Sequence, residues 1–292
     1  MFYARASEGI RDTTTPKLRD FYSLDNGKFS LLARDYEQTF RDLITLAEFW
    51  KDISVLDSSR FSERVRKYLF ILHYVPNNMW TFLTSVYFMT NKDSRGMLAE
   101  KKFLEFLTKI TAFMIASRIT RPGNTTPFFN AMADIAAGHQ VTFKGYEFDI
   151  EQLRDSIRKF DFNDSRKITR SMIAWYIFQD ESQEVLSLNQ KFDTEHIMPR
   201  KRESELINKS NLEALGNKSF LERDINIRAS DYRFSDKANY YLGSKGKAST
   251  RIHELSELAK THNDFTEQDI EQRNNIIINS FIKFIIENNL AR

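Results

Sequence analysis

Apolar residues recur at three- and four-residue spacing through most of this chain, and that period calls for helices. Tyr36, Phe40, Leu43, Ala47 and Trp50 form one such stripe, in a helix expected from about residue 29. Phe103, Leu107, Ile110 and Met114 form a second, within 99–120, and Ile168, Met172 and Tyr176 a third, within 165–178. Further helices are expected over 61–74, 78–90, 126–138, 149–160 and 251–259. Only 9 Gly and 5 Pro interrupt the pattern, which suits long helices better than a turn-rich β fold. Thr266 and Asp269 have the spacing of a capping box and open a final helix with Ile270, Ile277, Phe281 and Phe284 on one side. Residues 141–148 (VTFKGYEF) alternate as a short hairpin would. Residues 1–28 are polar and read as an irregular arm or linker. The Phe and Met stripes read as core packing rather than as the lining of a ligand pocket, and His73 and His139 as structural.

The chain has no cysteine, which excludes disulfides, cysteine-ligated zinc and a thiol nucleophile. No apolar run is long enough to span a bilayer. A cysteine-free chain without a signal peptide reads as cytoplasmic, with no membrane partner. The net charge is only +3, yet residues 199–251 hold twelve Lys/Arg against seven Asp/Glu. Positive charge therefore gathers in one segment, as a phosphate-facing surface requires.

That segment follows the one place where the helical texture fails. Residues 191–242 contain short extended pieces, clustered charge and many Asn. In KFDTEHIMPR, Glu195 stands directly before His196, at the end of a strand-like piece that Pro199 stops. Asn217 follows after twenty intervening residues, and Asn226 after eight more. Residues 215–221 (LGNKSFL) read as the second strand of an antiparallel pair, and Asn226 as part of a following helix. A β-hairpin packed on a helix would gather these side chains at one concave spot. Phosphodiester cleavage needs such a set. An imidazole with an ordinary pKa near 6.5 takes a proton from the attacking water. Mg²⁺ prefers a few hard oxygen ligands, which Glu195 and Asn226 offer. Asn217 would fix the orientation of His196 or its loop. Arg200, Lys218, Arg223, Arg228, Arg233, Lys237, Lys245 and Lys247 would hold the neighbouring phosphates.

EHIMP, then LGNKSFL, then an Asn with eight residues between it and Asn217 resembles the ββα-metal (HNH) nuclease signature in its His-Asn-Asn form. With an acid before the His, a Pro three residues after it and a GN pair at the second strand, the pattern is similar to the C-terminal nuclease domain of GmrSD-type modification-dependent restriction enzymes. DFTEQDIEQRNNIIINSFIKFI resembles that family's closing helix, with Ile270 and Arg273 in the matching places. FLTKITAFMIASRITRPGNTTPFFNAM is similar to its helical middle. The resemblance implies His196 as general base, Glu195 and Asn226 as ligands of Mg²⁺ or Mn²⁺, and Asn217 as the middle Asn. Asp193 is implied as an extra ligand or a support of the motif, with a salt bridge to Arg as the alternative. Lys218 departs from the pattern, standing where the family has an apolar residue, and Arg200 stands where Gln is common. No phosphate-cradling Gly-rich loop and no upstream Asp-Gly-Gln-rich motif is present.

The expectation is a mainly α (α+β) protein: an arm over 1–28, a helical domain over 29–185, and an HNH-type nuclease module with bracing C-terminal helices over 186–292. The resemblance implies an endonuclease that nicks or cuts modified foreign DNA in phage defence, leaving 5′-phosphate and 3′-hydroxyl ends. A nucleotide-hydrolysing, modification-sensing domain or subunit would lie outside this chain. Two alternatives stand beside it: a non-catalytic DNA-binding or regulatory module, and a helical scaffold of the same system. The motif reads phosphates, so RNA also remains open as a substrate.

Overall fold

The computed structural model describes residues 1–11, 13, 36–243 and 246–292. They form helices with short connections and one two-stranded sheet, the mainly α architecture that the apolar period requires. Contacts divide them into two compact units, one of Met1–Arg66, Asn77–Asp149 and Glu287–Arg292, the other of Lys67–Pro76 and Ile150–Ile286.

The first unit holds α1 (Phe2–Ser7), α2 (Tyr36–Val55), the first residues of α3 (Glu63–His73), α4 (Met79–Asn91), α5 (Glu100–Thr120) and α6 (Thr126–Ala136). The predicted face of α5 is its buried face: Phe103, Leu107, Ile110 and Met114 are all within 2% of full burial. Three expectations fail here. Helix α1 lies in the stretch read as an irregular arm. It is too short to show a period, and it is held by Phe2 stacking on Phe82 at 4.0 Å and by buried Ala4 and Ala6. The stripe of α2 is not core, since Tyr36, Phe40 and Leu43 stay 64, 61 and 51% exposed while Phe49 and Ile53 carry the burial. Periodicity shows which side chains share a face, not whether that face is covered. Residues 141–148 do not pair as a hairpin. Phe143 takes a positive φ of 52° and stacks on Phe113 at 3.7 Å, while Phe148 forms an isolated parallel bridge with Ala291. Aromatic burial on α5 accounts for the alternation there.

The second unit contains the rest of α3, then α7 (Ile150–Lys159), α8 (Lys167–Ile177), β1 (Phe192–His196), β2 (Lys218–Glu222), α9 (Arg223–Ala229), α10 (Phe234–Tyr241), α11 (His253–Thr261) and α12 (Glu267–Glu287). Helix α12 begins as its sequence predicts, with the Asp269 carboxylate accepting from both the amide and the hydroxyl of Thr266 at 2.7 Å. It buries Ile270, Ile277, Phe281 and Phe284, and Trp175 of α8 packs edge-on to Phe281 at 5.0 Å. The two strands pair antiparallel, Phe192 opposite Glu222 through His196 opposite Lys218.

The second strand starts at Lys218, not at residue 215. Leu215–Asn217 is a tight turn pressed against α12. A Cβ on Gly216 would lie 2.0 Å from the Ile270 carbonyl oxygen, so only glycine allows this approach. Arg273, buried in α12, donates through Nη1 to the carbonyls of Leu215, Gly216 and Lys218 at 2.9, 3.0 and 2.9 Å. Its Nε and Nη2 bind Glu254 at 2.7 and 2.8 Å. Arg273 thus ties the turn and the first residue of β2 to α12.

Candidate active site

Strand alternation sends Phe192, Thr194 and His196 to one face of β1, and Asp193 and Glu195 to the other. At the strand's end both faces reach one open cleft of about 190 Å³, lined by Asp164, Thr194, Glu195, His196, Arg200, Asn226, Ser230, Asp231 and Lys237. His196, Glu195 and Asn226, expected from the order and spacing of the motif, its basic surround and the resemblance, thus share a cavity, supplied by β1 and α9.

Asn217 is fully buried and does not line the cleft; it holds the loop that follows His196. Its Oδ1 accepts from the Met198 amide at 2.7 Å, and its Nδ2 donates to the carbonyls of Met198 and Leu212 at 3.1 and 3.0 Å. Its own carbonyl accepts from the Ile197 amide at 2.9 Å. A side-chain amide offers the needed acceptor and two donor hydrogens together.

Glu195 is buried, and its Oε1 accepts from Lys237 Nζ at 2.6 Å and Tyr241 Oη at 2.5 Å. Lys237 Nζ also donates to the His196 carbonyl at 2.6 Å. Burial, with the Glu195 carboxylate beside it, pushes the Tyr241 phenol well above its ordinary range, so it stays a neutral donor. Glu195 Oε2 has no hydrogen-bond partner among the described residues. Asn226 donates from Nδ2 to Asp193 at 3.4 Å, which leaves Oδ1 for the cleft. Asp193 is tied up by Arg223 at 2.8 Å through Nη2, the salt-bridge alternative. Burial alone would raise the Asp193 carboxyl, but hydrogen bonds from Arg223 and Asn226 outweigh it and hold it below its ordinary value.

On the His196 face the structure assembles a group that the sequence reading missed. His196 Nε2 lies 3.2 Å from Glu213 Oε1 and 3.2 Å from Lys218 Nζ, and its Nδ1 is 3.9 Å from Asp164 Oδ2. Lys218 is fully buried and bridges Asp164 Oδ1 at 2.8 Å and Glu213 Oε2 at 2.5 Å. The hydrogen bond from His196 and the nearby Lys218 ammonium hold the Glu213 carboxyl down at about 2, against the effect of burial. Asp164 lies 32 residues before His196 and Glu213 in the insert between the strands. No period or motif in the sequence connects them.

Two sets of donors are therefore candidates for a divalent ion. Asp164, His196 and Glu213 bring ligand atoms within 4.8 Å of one another, with the Lys218 ammonium bridging the two carboxylates. Glu195 and Asn226 line the cleft and carry hard oxygens, the chemistry that Mg²⁺ and Mn²⁺ favour. In each set a lysine already contacts a carboxylate, Lys218 in the first and Lys237 at Glu195 in the second.

The predicted phosphate contacts divide into groups. Lys218 and Lys237 are buried to within 1% and committed to internal carboxylates, so neither has an ammonium to present to a phosphate. This corrects the expectation for both. Arg200 is half-exposed but caps Asp164 at 2.5 Å, and Arg223 is half-exposed on Asp193. Arg233 and Lys247 are exposed, and Arg228 is partly so. Lys245 lies outside the described residues.

A ββα order with His196 and Asn226 on one cleft and Asn217 buried behind it is a pattern that a comparison with protein families can test. Residues 147–280 match the family model for the C-terminal domain of GmrSD restriction endonucleases. No curated protein matches the chain. The GmrSD C-terminal match spans just under half of the chain, and it includes every cleft residue, the strand pair, Glu213, Lys218 and Arg273. No helix among the described residues is long and apolar enough to cross a membrane.

Proposed function

We propose that this chain is a metal-dependent DNA endonuclease of the ββα-metal (HNH) type, acting in a modification-dependent restriction or phage-defence system. The observation that carries this reading is the convergence of His196, Glu195 and Asn226 on one cleft, with Asn217 pinning the loop between them. The GmrSD C-terminal match over the same residues supports it. The substrate would be modified foreign DNA in the cytoplasm. Modification sensing would fall to a nucleotide-hydrolysing domain or subunit outside these residues.

His196 is the general base: it takes a proton from the water that attacks phosphorus. Glu195 Oε2 and Asn226 Oδ1 would hold the divalent ion, Mg²⁺ or Mn²⁺, which supplies charge stabilisation for the phosphate and the departing 3′-oxygen. Lys237 and Tyr241 fix Glu195 through Oε1, which leaves Oε2 for the ion. Asp193 orients Asn226. Arg228, Arg233 and Lys247 hold flanking phosphates, and products carry 5′-phosphate and 3′-hydroxyl ends. A plasmid-nicking assay tests the reading. The wild type should nick with Mg²⁺ or Mn²⁺, and both EDTA and His196→Ala should abolish nicking. Equal DNA binding by both proteins without nicking under any condition would instead mark a non-catalytic DNA-binding module.

A further inference from the structure

We propose that Glu213 is the positioning residue of His196: it holds the imidazole as the Nε2–H tautomer and leaves Nδ1 as the basic nitrogen. The inference deepens the nuclease reading and rests on it for the role of His196. Two groups compete for Nε2. Glu213 Oε1 and Lys218 Nζ both stand 3.2 Å away. An ionised carboxylate only accepts, so a bond to Glu213 requires the proton on Nε2, whereas a bond from Lys218 requires it on Nδ1. The Glu213 carboxyl is held down at about 2 and so is ionised at neutral pH. The ammonium of Lys218 already donates to two carboxylates, Asp164 at 2.8 Å and Glu213 at 2.5 Å. A charge-assisted bond from Nε2–H to Glu213 is therefore made without costing Lys218 either partner, and it is the stronger choice.

The arrangement also explains the buried lysine. Glu213 alone beside His196 would leave a poorly solvated carboxylate at the base. Lys218, in cross-strand register with His196, offsets that charge and fixes the Glu213 oxygens at the same time. Nδ1 then faces Asp164 Oδ2 at 3.9 Å, too far for a hydrogen bond. The lone pair is free for a water in the cleft. When Nδ1 takes the proton, the imidazolium lies between two carboxylates.

The test is ¹⁵N NMR of the metal-free, histidine-labelled full chain at neutral pH, which reports the tautomer without any turnover. His196 should show the Nε2–H pattern. Glu213→Ala should move it to Nδ1–H, because Lys218 becomes the remaining polar neighbour of Nε2. Glu213→Gln, which keeps an oxygen acceptor, should restore Nε2–H. In nicking kinetics Glu213→Ala should lower kcat roughly 10- to 100-fold with KM unchanged, and Gln should recover part of the loss. A wild-type Nδ1–H tautomer overturns the proposal, and so does a tautomer unchanged in a folded Glu213→Ala protein. If the wild type shows Nε2–H but never nicks, the nuclease reading fails while the assignment of Glu213 stands.

Discussion

Replacing Asn217 by alanine should loosen the strand pair far more than the loss of one exposed polar side chain would. The amide makes three bonds in a fully buried position, to Met198 N, Met198 O and Leu212 O at 2.7, 3.1 and 3.0 Å. Each buried backbone group left unpaired costs about 1–3 kcal/mol. Relaxation and water entry recover part of this, so a net loss of about 3–5 kcal/mol is expected, a large share of the ~5–15 kcal/mol of a typical domain. Hydrogen exchange followed by mass spectrometry reads it locally. Peptides covering β1, the Ile197–Met198 turn and β2 should exchange more than about a hundredfold faster, since about 1.4 kcal/mol is tenfold in an opening equilibrium. Asn217→Asp sharpens the test. Aspartate still accepts from Met198 N, but it turns a carboxylate toward two carbonyls and should destabilise at least as much. Acceleration below about tenfold in Asn217→Ala, or protection restored by Asp, would refute the idea that a two-way amide clamp sets the geometry behind His196.

Two further outcomes follow from the charges. The Glu213 carboxyl is depressed in the folded chain to about 2 from an ordinary value of 4.5, so its contribution to stability is full above 4.5 and is lost as pH falls toward about 2. Thermal melts should show that acid limb flattened in Glu213→Gln, and an unchanged limb would contradict the assignment. Alanine at exposed Arg233 or Lys247 should weaken DNA binding across sequences and reduce the slope of log K against log salt by about 1 each. The same slope should survive Lys218→Met if that protein folds, because this lysine is buried in carboxylates; a fall of one unit there would place its ammonium on the DNA.

The helices were legible because burial on one face leaves a period in the sequence, and eight of them lie within about two residues of their expected limits. The stripe of α2 shows what a period cannot tell. Tyr36, Phe40 and Leu43 share a face, but whether another element covers that face is decided by tertiary contacts that no local pattern encodes. Residues 141–148 failed for a related reason: alternating aromatics look alike whether they pair across strands or stack on a helix, as Phe143 does on Phe113. In the cleft, Glu195, His196 and Asn226 could be named because they sit on two adjacent elements joined by fixed spacing. Asp164 and Glu213 could not, because each reaches His196 from a segment with no local relation to it.

The same limit governs how far charge can be read from sequence. The basic surplus of residues 199–251 suggested a phosphate-facing surface, yet the sign of a residue says nothing about where its charge is spent. Lys218 and Lys237 lie in that segment and turn inward, one onto Asp164 and Glu213, the other onto Glu195 and the His196 carbonyl. A buried ammonium is costly unless carboxylates compensate it, so each lysine marks carboxylates that it holds in place. These acids flank the same histidine, Asp164 and Glu213 on the His196 face of β1 and Glu195 on the other. The surplus therefore serves two ends: outer cations such as Arg233 and Lys247 lie exposed to solvent, where a polyanion can reach them, while inner ones hold the acids around His196 in place. An unexpected Lys beside a motif that usually carries an apolar residue is, on this argument, a pointer to an unseen carboxylate partner rather than to an extra phosphate contact.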